Sequence, residues 1–177
     1  PPTKADFQAI VSALLQLEGE PATAQWLGAM KANAKLYSDN IATLKAVNAG
    51  EVDGGVIYHY YWFRDQSKKT KEISGNTALH YFKNQDPGAF VSLSGGGVLA
   101  SSDKKDQAQQ FLTFITGKAG QEVLEKGTSF EYPPVASGVP ANPALPPLDT
   151  LDAPPAVDPS NLNAQQVTDL MTKAGLL

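Results

Sequence analysis

The densest chemistry in the chain is the run Tyr58-His59-Tyr60-Tyr61. Two adjacent phenols suit a hard trivalent cation. A free phenol titrates near pH ~10, but a bound ion of high charge stabilises phenolate at neutral pH. Oxygen donors select hard ions over soft ones, and phenolate is an iron ligand. The plainer reading of the same run is an aromatic core beside a strand, and neighbouring Trp62 and Phe63 fit it. The chemistry of these residues leaves both readings open.

Other candidates carry less. His59 and His80 are the only histidines, and neither stands at helical ligand spacing from a second zinc donor. There is no cysteine, which excludes disulfides, thiolate metal sites and cysteine nucleophiles. Gly95-Gly96-Gly97 lacks the Lys-Ser/Thr of a phosphate-binding loop and the spacing of a dinucleotide fingerprint, so it reads as a tight turn or hinge. Thr3-Lys4-Ala5-Asp6 opens a helix whose leading N–H groups suit an anion, or simply a cap. No serine lies in a Gly-x-Ser-x-Gly elbow, and Glu51 and Asp53 flank a turn. With no nucleophile, base and orienting partner to assemble, a binding protein is favoured over an enzyme.

The elements that must position these residues follow from periodicity. Phe7, Ile10, Val11, Leu14, Leu15 and Leu17 recur at helical spacing, with Thr3 or Asp6 as N-cap and Gly19 as stop. Pro21 suits a first helical turn, and Trp26, Leu27 and Met30 mark the stripe of a second helix. Ser38-Asp39-Asn40 caps a third, with Ile41, Leu44 and Val47 inward and Gly50 closing it. Gly54 to Tyr58 predicts a short strand running into a helix from His59, and further strands are expected around 79–83 and 90–100. Helices follow over 104–116 and 118–126, broken at Gly117. A Pro- and Ala-rich stretch over 133–159 must wrap a surface in extended form, and a last amphipathic helix spans 163–173. Alternating helices and short strands predict an α/β fold, in which side chains at the carboxyl end of a strand face the ligand crevice.

With 42% hydrophobic residues in 177, the chain can build one core, or one lobe of something larger with extensions. A net charge of -4 leaves no nucleic-acid footprint, and Lys68, Lys69 and Lys71 read as a solvated loop. No apolar run approaches the roughly 20 residues that span a bilayer. The first residues, Pro1-Pro2-Thr3, include no initiator Met, so processing or truncation is expected.

Several segments together carry a resemblance. They are Pro2-Thr3-Lys4-Ala5-Asp6-Phe7-Gln8-Ala9, Leu17-Glu18-Gly19-Glu20, Ala46 to Asp53, His59 to Arg64, Asn84 to Ala89 and Phe111 to Thr116. In this order they resemble the ferric-iron-binding subclass of periplasmic binding proteins over nearly the whole chain. The resemblance implies a type II-like two-lobed α/β fold closing over Fe3+, of which this chain is mainly the C-terminal lobe. Residues 1–87 would form the core of that lobe, 88–132 would cross to the N-terminal lobe, and 133–177 would return. Most of the N-terminal lobe would be absent, so the chain is expected to be a fragment. Its helices over 104–116 and 118–126 would need cover from the missing lobe or a second copy.

By the same resemblance Tyr60 and Tyr61 are the metal ligands, with His59 and Arg64 beside them. A synergistic carbonate or phosphate would sit near Thr3, Lys4, Ala5, Asn40 and Tyr58. Here the sequence departs from the family, with Lys4-Ala5-Asp6 in place of a Ser-Gly-Ala-type run and Tyr58 in place of an asparagine. The implied activity is iron capture outside the cytoplasm, in the periplasm or lipid-anchored at the cell surface. Delivery would be to the membrane subunits of an ABC permease. The competing ligands are an organic anion or a thiamine-like cation, against which tyrosines would stack or hydrogen-bond; an α/β enzyme ranks below both.

Overall fold

The computed structural model describes residues 1–152 and 154–177, so Ala153, within the predicted Pro-rich stretch, lies outside the described residues. The chain divides into two compact units, one made of Pro1–Ser92 with Leu151–Leu177 and the other of Leu93–Thr150.

The first unit is organised by helix α1 (Ala5–Asn33), which bends where the sequence requires it. Gly19 sits at φ 81°, a left-handed conformation that glycine adopts without a Cβ penalty. Pro21 follows within the first turn of the second limb, where its missing N–H costs nothing. Thr23, fully buried, donates its hydroxyl to Gly19 O at 2.8 Å and satisfies a carbonyl freed at the break. The N-cap is Lys4, without a side-chain capping bond, rather than Thr3 or Asp6.

Helix α6 (Ala164–Lys173) covers the inner face of α1. Val167, Leu170 and Met171 recur at helical spacing and pack with Phe7, Val11, Leu27 and Leu176 in one cluster. Each such side chain, fully buried, contributes about 1.5–3 kcal/mol. Trp26 stacks on Phe7 with ring centroids 6.0 Å apart. Asn163 caps α6 by accepting from Gln166 N. Gly175, at φ 70°, ends it, with Gly175 N bonded to Thr172 O and Leu176 N to Met171 O. The same paired closure ends α2 (Asn40–Asn48), where Gly50 N meets Val47 O and Glu51 N meets Ala46 O.

Helix α3 (His59–Gln66) follows α2 and is fixed at its C-terminal end by a buried clip. Asp65 accepts from Ile73 N at 3.0 Å and Ser74 Oγ at 2.7 Å, while Gln66 Nε2 bonds Ser74 O and Oγ. Trp62 Nε1 donates to Thr77 Oγ1 at 3.0 Å. Asn48, the last residue of α2, takes a bond from Asn76 N and gives one to Glu72 O, tying the same loop to α2.

The second unit is built on α4 (Lys105–Thr116) and α5 (Lys118–Lys126), joined through Gly117. Their close approach depends on Gly120, where a Cβ would lie 2.5 Å from Phe114 O and 2.6 Å from Ile115 Cα. Gln121 Nε2 bridges back to Ile115 O at 2.7 Å. The Pro-rich segment runs extended between short 3-10 turns at Val135–Ser137 and Leu148–Thr150, with Tyr132 donating to Pro146 O. Phe111, Phe114 and Val123 on α4 and α5 are exposed.

The predicted strands are not formed: among the described residues there is no β-strand, and the elements are all helical. A strand exists only as one side of a ladder. Residues 54–58, 79–83 and 90–99 are free of helix but exchange no backbone hydrogen bonds with one another. Gly95-Gly96-Gly97 likewise lies in an irregular segment, and the turn falls at 100–101. The α/β class, read from local residue preference, is therefore not confirmed among the described residues.

Candidate functional site

Three helix starts meet at one carboxylate, all within the first unit. Asp6 is the second residue of α1, Asn40 the first of α2, and Tyr60 and Tyr61 the second and third of α3. Asp6 Oδ2 accepts from Asn40 Nδ2 at 2.7 Å, from the Tyr61 hydroxyl at 3.0 Å and from the Tyr60 hydroxyl at 3.3 Å. Each helix N-terminus carries a partial positive charge, so a first-turn position suits the negative charge of the Asp6 carboxylate.

The two phenol rings lie with centroids 4.5 Å apart. Helical spacing brings Arg64 over both, its guanidinium carbon 5.8 Å from the Tyr60 ring centroid and 6.0 Å from that of Tyr61. Tyr58 stacks on Tyr60 from the other direction at 5.8 Å. His59 meets Tyr60 and Phe63 edge-on and lies tilted against Tyr81.

These surroundings hold Tyr58 and Tyr60 neutral in the absence of a cation. Burial raises the Tyr60 pKa, and its bond with Tyr61 and the nearby Asp6 charge push the same way. Burial also raises that of Tyr58, a weak interaction with Ser92 opposing and Asp6 adding to it. The Tyr58 hydroxyl is buried and makes no hydrogen bond of good geometry.

Of the expected anion residues, Asn40 and Tyr58 line one small recess with Asp6. Asn40 is buried and turned onto Asp6, and Tyr58 belongs to the aromatic stack. Thr3, Lys4 and Ala5 are exposed at the start of α1. Asp6 itself was legible in the sequence only as a possible cap. Its departure from the small residue expected at that position was the available signal. Among the described residues no group of three or more His, Asp or Glu side chains gathers to hold a metal, so the oxygen donors here are two phenols and one carboxylate.

A solute-binding module is the class that this helical scaffold and oxygen-lined cluster define. Residues 1–155 match the family of bacterial extracellular solute-binding proteins, and the chain belongs to that family, one of solute binders rather than enzymes. Among individual proteins, it is 60% identical over 176 residues to the Fe(3+)-binding periplasmic protein of Serratia marcescens, covering 99% of this chain and 51% of that protein. It is 35% identical over 175 residues to the major ferric iron-binding protein of Neisseria meningitidis serogroup B, covering 99% and 52%. Its structure is similar to the crystal structure of iron-bound HitA from Pseudomonas aeruginosa, with a TM-score of 0.88 and 40% identity over 99% of this chain and 56% of that one. The chain thus spans about half the length of the curated relatives it matches.

Proposed function

We propose that this chain is the part of an extracytoplasmic ferric-iron-binding protein that supplies Tyr60 and Tyr61 as phenolate ligands. The observation that carries this reading is the convergence of both phenol oxygens on Asp6 Oδ2. It is supported by the likeness to proteins named for Fe(3+) binding in Serratia and Neisseria. A trivalent ion is the partner that makes phenolate favourable at Tyr60, where burial and a neighbouring carboxylate otherwise keep the phenol protonated. Asp6 is then a third oxygen donor from this chain. It provides internally the negative charge that a synergistic carbonate or phosphate would bring from solution. Arg64, over both rings, offsets the charge of the pair, and His59 packs at the edge of Tyr60.

The longer protein of this family would complete the enclosure with ligands from residues outside this chain. We infer that residues 1–87 and 133–177 belong to one lobe and that 88–132 crosses to the other. The exposed faces of α4 and α5 at Phe111, Phe114 and Val123 would be covered there. The segments without strand partners would pair with residues of the longer protein outside this chain. Delivery to the membrane subunits of an ABC permease, from the periplasm or from a surface anchor, completes the role.

The test is a titration with chelated ferric iron, followed through the visible phenolate-to-iron charge-transfer band. A band lost in the Tyr60→Phe/Tyr61→Phe variant supports the reading. A colourless natural protein, bearing every residue of the longer chain, overturns it in favour of an organic ligand stacked on the tyrosines.

A further inference from the structure

We propose that Asn40 is a positioning residue for iron capture, holding the Asp6 carboxylate in place when the two phenols can no longer do so. The inference rests on the functional reading above and deepens it.

Asn40 is only 4% exposed, and its side-chain amide makes the shortest of the three bonds to Asp6 Oδ2, at 2.7 Å. The other two donors are the hydroxyls of Tyr60 and Tyr61. A phenol that ligates a metal as phenolate has lost the hydrogen it donated. Loading therefore removes two of the three bonds that orient Asp6, and both rings then carry charge toward it. The amide of Asn40 has no proton to lose in this range and remains a donor. Of the three contacts it is the one that survives the reaction.

Its backbone is held for that task. Asp39 caps α2 by accepting from Ala42 N at 2.7 Å, and Thr43 Oγ1 bonds Asp39 O at 3.1 Å. Leu44 and Ala46 are buried on the same helix, and Gly50 closes its far end. The amide thus projects from a fixed helix start onto a carboxylate 34 residues earlier in sequence. Outer-shell donors that fix a ligating carboxylate typically contribute about 10- to 100-fold in metal affinity.

The experiment is a double-mutant cycle in the natural protein, by direct titration with ferric citrate. It reads both the dissociation constant and the position of the visible band. Asn40→Ala is expected to weaken binding by roughly 10- to 100-fold and to shift the band. In an Asp6→Asn background the same change is expected to cost less than about 3-fold, because its target has gone. Asn40→Asp keeps the side-chain shape and guards against a folding artefact. It removes the donor, sets a like charge against Asp6, and is expected to bind at least as weakly as Asn40→Ala. Wild-type affinity and band in both Asn40 variants would overturn the proposal, as would an equal loss with and without Asp6. A wild-type protein without a band would fail the iron reading itself, an outcome that the Asn40 variants cannot mimic.

Discussion

Helix α3 meets an aspartate at each end, and the two carboxylates are used in opposite ways. At the N-terminal end Asp6, half-buried, gathers three side-chain donors from two other helices. At the C-terminal end Asp65 is 2% exposed and takes its bonds from the adjoining loop, with Lys68 Nζ 3.4 Å from its second oxygen. A carboxylate in the last turn opposes the helix dipole, so Asp65 needs those donors to stay charged. Asp6 stands where three dipoles favour it. Two of its partners are the phenols proposed above to ligate iron, whereas the partners of Asp65 are a serine hydroxyl and a backbone N–H. On the proposed reading, the difference separates a cluster that exchanges partners on loading from one that holds a loop.

The sharpest test of that contrast is the tyrosine pair. Tyr60→Phe/Tyr61→Phe removes both exchangeable donors, and ferric affinity should fall by well over the roughly 100-fold reached by outer-shell changes. The melting temperature should hardly move. Asp6→Asn comes next, with an expected affinity loss on the order of 100-fold and a change in Tm of no more than about 2 °C. A large drop in Tm with unchanged iron binding would reverse the assignment of the two aspartates.

Asp65→Asn should do the converse. Losing charge-assisted bonds in a buried site costs about 2 kcal/mol, or about 4–8 °C in Tm for a chain of this size. The iron band should persist. Burial pushes the Asp65 pKa up, but the bonds from Ser74 and Ile73 and the Lys68 charge outweigh it and leave the pKa below its ordinary 3.8. A carboxylate whose pKa falls on folding stabilises the fold above its unfolded pKa, and that contribution is lost as pH drops through the folded value. Stability measured by urea should therefore decline on acidification below pH ~4 more steeply in the natural protein than in Asp65→Asn. The smallest effect belongs to Lys68→Met, since Lys68 is largely exposed and such pairs contribute about 0–1 kcal/mol.

What the sequence disclosed follows the range of the interactions. The helices were legible because Phe7 and Val11, or Val167 and Met171, repeat within a turn of one another, and because Gly19, Gly50 and Gly175 mark the breaks locally. The aromatic run at 58–63 was legible as a cluster for the same reason. Its point of convergence was not, because Asp6 lies 54 residues before Tyr60 and only the packed helices bring them together. Asp65 was invisible as a clip, since its partners depend on the loop returning past Ser67. The strands failed from the opposite cause: residue preference marks an extended segment, while the ladder that makes it a strand depends on a second segment.

The packing of α6 against α1 also sets an order of events during synthesis. Gln16 bonds the backbone of Asp158, 142 residues later, and Val11 and Leu27 share their cluster with Val167 and Met171. Contacts this distant in sequence repay loop closure only after the later segment has emerged. A nascent chain stopped ahead of Ala164 would already contain Asp6, Asn40, Tyr60 and Tyr61. It would have an α1 with a bare apolar face and no rigid platform to aim the carboxylate, leaving a window in which the proposed ligands exist and the trap does not.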